Sequence, residues 1–438
     1  MLLKNVWPFR PKKKLKHLDN NVVFSLEKVY TQVDQLVLGM YITELDRPWL
    51  ETPFLFQGFE LKTEEELKAV RDVCEYVYVD MTKRKKRINS IVSRTQSNID
   101  NILNYGSPPK KLSVFEKEIA RAGKTYESTA EVISGFMEKI AKGDGVDSKL
   151  AKEAVADCVD SVLHSPDAML WLTHLKNKDE YTAQHSINVC VLAIVLGRHL
   201  NFSEKDLNIA GLCGMMHDMG KMLIPLSILN KPGKLEWDEL LRMQSHTTLG
   251  YELLQSSENM HPSAIETALT HHERLDGKGY PRQIKPSGIS DFAKIVTIVD
   301  MYDAMTSDRI YQKGITHLEA THVITNMAGA HLDPILVIKF IESLGVYPPG
   351  CLVQMTNGAI AIVIECNEKI KLRPKIIIIL DEEKNPVQEQ VIDLSKMIKD
   401  KKGDVYTIRK IVRAQDWNID PHKYYREGIL HKAFPVRM

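Results

Sequence analysis

His217 and Asp218 stand side by side in a chain whose other histidines and carboxylates gather around them. His185 lies 32 positions before His217, His246 lies 28 after Asp218, His271 and His272 follow, and Asp300 closes the set. These seven nitrogen and oxygen donors fall within 116 positions, several of them in apolar segments. Imidazoles and carboxylates without a thiolate suit iron, manganese or another transition metal held open for reaction. Seven donors exceed what one ion needs, and a carboxylate next to a ligating histidine can bridge two. Any one of these histidines alone would read as a hydrogen-bonded structural group. The set together points to a binuclear metallohydrolase.

Such donors must be held by rigid elements, and from about residue 111 to 345 almost everything reads as helix. Val114–Ile140, Leu150–Leu163, Ser186–Leu200, Leu207–Met216, Trp237–Leu254 and Ala293–Met305 carry apolar residues at helical spacing. His185 opens one amphipathic helix and His217-Asp218 ends another, so their side chains can converge inside a bundle, a common place for two-metal sites. Ser203 with Asp206 marks the start of the helix leading to His217. Asp300 and Asp303, three apart, share a helix face. Asp276-Gly277-Lys278-Gly279 is a turn by composition.

The remainder divides by changes in character. Residues 1–20 form a basic arm with Lys12, Lys13, Lys14 and Lys16. Residues 21–82 read as a small α/β module. In it, β-rich runs at Leu36–Ile42 and Glu75–Asp80 flank a helix opened by Thr63 and Glu66, a capping-box pair. Residues 83–145 are a linker and connecting helix, with the basic run from Lys83 to Arg87 and Ser107-Pro108-Pro109. Residues 146–349 hold the seven donors. After Tyr347-Pro348-Pro349-Gly350, residues 350–438 read as a β-rich appendage with strands at Cys351–Val353, Ala359–Glu365 and Lys375–Asp381, then a polar tail. The expected class is mainly α.

The length of 438 residues allows two to three domains. Hydrophobic content of 44% and charged content of 26% are those of a soluble globular protein. A net charge of +1 makes no general case for a polyanionic partner. The two basic runs read as solvated segments, and no aromatic or groove-reading motif accompanies them, so nucleic acid is not an expected partner. The six cysteines show no CxxC pairing, and Cys190 and Cys213 lie in apolar runs, as in a reducing cytosol. No uncharged apolar stretch approaches the ~18–20 residues of a membrane span, and no signal-peptide pattern opens the chain. The expectation is a cytoplasmic protein without an integral membrane segment.

The strings His217-Asp218-Met219-Gly220-Lys221, His271-His272-Glu273-Arg274-Leu275-Asp276-Gly277-Lys278-Gly279-Tyr280-Pro281 and Asp300-Met301-Tyr302-Asp303-Ala304-Met305-Thr306-Ser307, with His185 and His246 in order, resemble the HD-GYP family. These are bacterial cyclic-di-GMP phosphodiesterases within the HD superfamily of helical metal-dependent phosphohydrolases. The resemblance covers roughly residues 146–349. Gly39-Met40-Tyr41-Ile42, with Asp46-Arg47-Pro48-Trp49, looks like the small module that precedes some members.

The resemblance implies an all-helical HD-type bundle and two divalent metal ions, iron or manganese foremost, with cobalt or nickel compatible. One ion falls to His185, His217, Asp218 and Asp300, the other to Asp218, His246, His271 and His272, with Asp218 bridging. Asp218 and Lys221 would be catalytic, and Lys221 and Arg309 would contact phosphate oxygens. The Gly279-Tyr280-Pro281 loop, with Asp276, would rim the site and bear on substrate choice and on contact with protein partners. Tyr280 would shape the pocket, and Asp303 would orient a ligand or loop from behind. Two departures stand out. Tyr181 occupies the place where some members carry a Glu for a third metal, and the adjacent Glu180 would point elsewhere, which favours a binuclear site. Ile310-Tyr311-Gln312-Lys313 replaces the usual Pro-Tyr-Arg, so Lys313 would have to substitute for a missing cation at Gln312. The implied activity is hydrolysis of cyclic-di-GMP to linear pGpG, and on to GMP if the reaction continues. Alternatives are a cyclic-di-GMP sensor that docks partners with little turnover, or a phosphohydrolase for another cyclic dinucleotide or nucleotide.

Overall fold

The structure is a computed structural model that describes residues 28–36, 38–46, 59–61, 63–80, 115–174, 181–308, 313–367, 370–400, 403–417 and 419–426. The basic arm, the Lys83–Arg87 run, Arg47 to Trp49, Ser107 to Pro109, Glu180 and Arg309 to Gln312 lie outside these residues. Two compact units form, one from residues 28–46 and 59–80, the other from 115 onward.

The first unit contains β1 (Lys28–Gln32), β2 (Tyr41–Leu45), β3 (Phe59–Glu60), α1 (Glu64–Val73) and β4 (Tyr76–Asp80). Its antiparallel sheet runs in the order β1-β4-β2-β3. Thr63 and Glu66 cap each other's backbone N–H at 3.2 Å, which fixes where α1 begins. The run expected as a strand over Leu36–Ile42 is instead a turn followed by β2. Gly39 takes φ +88, a conformation that reverses the chain before pairing starts at Tyr41. Ile42, Leu61, Val70, Val77 and Val79 are fully buried between sheet and helix.

The second unit begins with α2 (Phe115–Ala141), α3 (Ser148–His164), α4 (Pro166–Thr173), α5 (Tyr181–His199) and α6 (Glu204–Met216). It continues through α7 (Leu226–Leu229), α8 (Trp237–Gln244), α9 (His246–Ser256), α10 (Pro262–Thr270), α11 (Asp291–Thr306), α12 (His317–Met327) and α13 (Pro334–Leu344). Side-chain caps from Asp147, Ser165, Ser203, Ser290, Thr316 and Asp333 start six of these helices. Ile187 to Leu196 of α5 are buried on every face, as expected of a helix at the centre of a bundle. Helix α2, within the stretch read as linker and connecting helix, buries Phe115, Ile119, Tyr126, Ile133, Phe136 and Ile140 in that same core.

The continuous helix expected over Trp237–Leu254 is two helices. Ser245 Oγ donates to the Arg242 carbonyl at 2.6 Å, one of the local bonds that compete with the helical ladder, and α9 starts afresh at His246. Burial changes at that break. Nothing on α8 is buried, while α9 buries His246, Thr247, Gly250 and Leu254.

A five-stranded antiparallel sheet follows: β5 (Leu352–Met355), β6 (Ile360–Glu365), β7 (Lys375–Leu380), β8 (Pro386–Asp393) and β9 (Ile408–Val412), in the order β8-β7-β6-β5-β9. The stretch read as a polar tail thus supplies both edge strands and a last helix, α14 (Pro421–Arg426). The Ile runs of β6 and β7 split by the two-residue period of a strand. Ile360, Ile362, Ile364, Ile377 and Ile379 join the core of the helical bundle, whereas Ala361, Val363, Ile376 and Ile378 form a separate cluster on the other face. Among the described residues no helix is long and apolar enough to cross a membrane.

Candidate metal centre

Five chain segments deliver the donors. His185 sits one turn into α5 rather than at its first residue. His217 is the C-cap of α6, and Asp218 leads into a tight 3-10 turn at Met219–Leu223. That turn packs backbone to backbone on the start of α9. A Cβ on Gly220 would sit 2.0 Å from the His246 carbonyl and 2.4 Å from Gly250 N, so glycine is what lets Asp218 approach His246. His271 caps the C-terminus of α10 with His272 next to it, and Asp300 comes from α11.

The seven side chains converge. Asp218 Oδ2 lies 3.1 Å from His217 Nε2 and 3.6 Å from His185 Nε2. Its other oxygen, Oδ1, lies 3.4 Å from His246 Nε2 and 3.6 Å from His271 Nε2. Asp300 Oδ1 stands 3.1 Å from His185 Nε2 and 3.9 Å from His217 Nε2. Two groups of donor atoms result, His185/His217/Asp218 and Asp218/His246/His271/His272, each with its atoms within 4.8 Å of one another. Asp218 belongs to both and turns one oxygen to each.

Hydrogen bonding prepares these nitrogens as metal donors. The Nδ1–H of His217 donates to Gly214 O at 2.7 Å, that of His246 to Met243 O at 2.7 Å, and that of His271 to Ala268 O at 3.0 Å. A carbonyl can only accept, so each proton is on Nδ1 and each Nε2 lone pair faces the centre. His217 Nε2 and Asp218 Oδ1 are buried without a hydrogen-bond partner. Stranding such atoms is costly unless something else binds them, and a divalent transition metal suits the set. Burial pushes the His246 imidazole down to about 3. Burial, with His271 and His246 alongside, holds His272 well below its ordinary value. Burial also works to raise the Asp218 carboxyl, but the field of His217 and of Lys221 beside it keeps it well below the carboxylate range. For Asp300 the neighbouring His185 and the field of His217 likewise overcome burial and keep the carboxyl low.

The surrounding groups fall into place around this centre. Lys221 Nζ donates to Asp218 Oδ2. Asp303 Oδ2 accepts His185 Nδ1–H at 2.8 Å, so Asp300 and Asp303 take opposite nitrogens of one imidazole. The Tyr280 ring stacks on His272 with centroids 4.7 Å apart. Burial, reinforced by Asp218 and Asp300, keeps its phenol protonated. Gly279 has no room for a Cβ, which would lie 2.5 Å from backbone atoms of His272, Glu273 and Arg274. The Tyr280-Pro281 peptide is cis. Asp276 is exposed and pairs with Arg274, away from the donors. Lys313 is exposed and makes no hydrogen bond or ion pair with the seven donors among the described residues. Arg309 lies outside those residues.

Sequence reasoning missed two groups here. Glu273 is buried and accepts the backbone N–H of Arg282 at 2.7 Å and of Ile284 at 3.3 Å, clamping the chain just past Pro281. Asn188 donates to Asp303 Oδ1 at 2.9 Å. Its position three residues after His185 on one helix face was the available signal.

A helical bundle closing on histidines and a shared Asp defines an HD-type metallohydrolase. Comparison with known proteins agrees. An HD domain matches residues 171–336, a domain of unknown function (DUF3391) matches 29–151, and a KOW domain associated with HD domain matches 352–399. Cyclic di-GMP phosphodiesterase PA4108 of Pseudomonas aeruginosa is 32% identical over 389 residues, 88% of this chain and 92% of that protein. Cyclic di-GMP phosphodiesterase response regulator RpfG of Xanthomonas campestris is 39% identical over 145 residues, 33% of this chain and 38% of that one. The 3'3'-cGAMP-specific phosphodiesterase 2 of Vibrio cholerae is 33% identical over 162 residues, 37% of this chain and 31% of that one. The chain belongs to the HD-GYP family.

Proposed function

We propose that this protein is a metal-dependent phosphodiesterase that hydrolyses cyclic-di-GMP to linear pGpG. The observation that carries the reading is Asp218, whose two oxygens face separate histidine groups 3.1–3.6 Å away. In this reading His185, His217, Asp218 and Asp300 hold one ion, and His246, His271, His272 and Asp218 hold the second. Iron or manganese is the leading choice, with cobalt or nickel also compatible with such donors. When bound, such ions supply Lewis acidity, making water a nucleophile at neutral pH and offsetting phosphodiester charge.

The chain's own residues do the rest. Asp218 keeps the two histidine groups in register. Lys221, part-buried beside Asp218, extends its ammonium to a non-bridging phosphate oxygen, which gains charge as the bond to the leaving 3' oxygen breaks. Arg309 and Lys313 contribute further cationic contacts to the substrate. Tyr280, seated on His272, walls the pocket without exchanging a proton. Asp276 and Gly279 to Pro281 form the outer loop, a surface for protein partners. The relative matched over most of its length is named for cyclic di-GMP hydrolysis, which supports the substrate choice.

A second reading, another cyclic dinucleotide, is favoured by the relatives named for 3'3'-cGAMP and by Gln312 in place of the usual Arg. One experiment separates them. Protein reconstituted anaerobically with Fe(II) or Mn(II) is given cyclic-di-GMP or 3'3'-cGAMP, and products are resolved by chromatography. The expected result is metal-dependent pGpG, absent in Asp218→Ala. Preference for 3'3'-cGAMP would select the second reading, and binding without product under either metal would leave a sensor.

A further inference from the structure

We propose that Tyr126 and Asn188 are positioning residues for the His185 side of the metal centre, acting through Asp303. The proposal rests on the reading of His185 as a metal ligand.

Four of the candidate ligand histidines, His185, His217, His246 and His271, are not held alike. His217, His246 and His271 donate to carbonyls three or four residues back on their own chain segment, so local structure orients them. His185 donates to a carboxylate, Asp303, from a helix 118 positions away. A carboxylate behind an imidazole both fixes its tautomer and strengthens it as a donor. The grip on His185 is therefore only as good as the placement of Asp303.

Ser307 Oγ donates to Asp303 Oδ2 at 3.3 Å, and the other oxygen is placed by a chain of buried groups. Asn188 Nδ2 donates to Asp303 Oδ1 at 2.9 Å, and Tyr126 OH donates to Asn188 Oδ1 at 2.6 Å. Tyr126, Asn188, Asp303 and His185 are only 7%, 1%, 2% and 3% exposed, so these contacts are made within the core. The phenol decides which way the amide faces. With its oxygen taken by Tyr126, Asn188 must turn its NH2 toward Asp303, where it also reaches Thr173 O at 3.4 Å. A flipped amide would set oxygen against oxygen. Tyr126 belongs to α2 and lies outside residues 171–336, the extent of the HD domain match. A helix ahead of that domain thus orients one of its candidate ligands.

The consequence is asymmetric. Disturbing the relay should loosen metal held by His185 and His217 and spare metal held by His246, His271 and His272. Loss of such outer partners typically weakens metal binding ~10–100-fold.

The test uses the full chain loaded with MnCl2, desalted, and measured for manganese by mass spectrometry. Mn(II) electron paramagnetic resonance separates coupled pairs from single ions, and thermal melting checks the fold. The parent should retain close to two ions per chain with a coupled signal. Asn188→Asp, isosteric but with oxygen facing Asp303, should retain about one, with an uncoupled signal and a second ion bound ~10-fold or more weakly. Tyr126→Phe should show a smaller loss. The double variant Asn188→Asp/Asp303→Asn reverses the polarity of the pair, since an amide at position 303 can accept from His185 and donate to a carboxylate at position 188. It should recover the second ion. Two tightly held ions in both single variants would overturn the proposal, as would a double variant no better than Asn188→Asp. A parent chain that takes up no manganese would overturn the metal-centre reading and the proposal with it.

Discussion

Gly220→Ala tests whether the approach of the 3-10 turn to α9 is what assembles the centre. The added Cβ would lie 2.0 Å from His246 O, 2.4 Å from Gly250 N and 2.8 Å from Gly250 Cα. Contacts under 3.0 Å do not survive in folded proteins, so the two segments must separate by at least 1.0 Å, the difference between 3.0 and 2.0 Å. Backbone atoms on both sides leave no flexible side chain to absorb the shift. Asp218 is two residues before Gly220 and His246 is the residue struck, so the 3.4 Å between Asp218 Oδ1 and His246 Nε2 opens by a similar amount. A displacement of that size at a reacting centre costs ~10²-fold in rate, or about 2.7 kcal/mol in the barrier. Overpacking itself costs ~1–3 kcal/mol of stability, a drop of several degrees in Tm. The assay is kcat/KM for cyclic-di-GMP at saturating Mn(II), well below the melting temperature, with metal content measured in parallel. An alanine variant within about threefold of the parent in kcat/KM, with both metals retained, would refute the idea that this contact sets the bridging geometry.

Lys221→Ala should keep its metal content yet lose ~10²-fold or more in kcat/KM, since a charged contact made in the transition state is worth a few kcal/mol; loss of metal instead would make the lysine structural. Glu273→Gln replaces one acceptor oxygen with an NH2 facing the N–H of Arg282 or Ile284. It should cost ~1–3 kcal/mol and speed limited proteolysis near residues 276–285. His317 is pushed by burial down to about 3, while its Nδ1 faces Tyr302 OH and its Nε2–H reaches Gly345 O. Between that value and its unfolded value near ~6.5, the unfolded chain binds a proton that the folded chain refuses. Stability from this group is therefore full above pH ~6.5 and falls as pH drops toward 3, by about 1.4 kcal/mol per unit. His317→Gln should flatten that acid limb in urea unfolding, and an unchanged slope would assign it elsewhere.

How much could be read beforehand depended on the range of the forces involved. Helix starts set by one side chain and the N–H three residues on, at Thr63 and Ser203, were visible because the cause lies within four residues. The donors were visible because residue type carries their chemistry. The break at Ser245 was hidden, since apolar residues from two different faces mimic one periodicity across it. Strands β8 and β9 were hidden because each carries polar residues and has only one neighbour in the sheet. Tyr126 was beyond reach, because its partner Asn188 is 62 positions away and nothing local distinguishes a core phenol from one with a task.

The sharing of one core between the helices and the C-terminal sheet limits how this protein can be cut. A fragment ending at residue 349 would retain all seven donors yet uncover the surface that Leu352, Ile360, Ile362, Ile364, Ile377 and Ile379 cover. At roughly 1.5–3 kcal/mol per buried aliphatic side chain, those six represent on the order of 10 kcal/mol. The whole stability of a domain is about 5–15 kcal/mol. It would also discard Gln415, whose amide reaches Asp308 Oδ2 at 2.6 Å in the segment leading to Arg309. An excised catalytic piece is therefore a poor reagent for kinetics, and a silent one would say nothing about the chemistry of the intact chain.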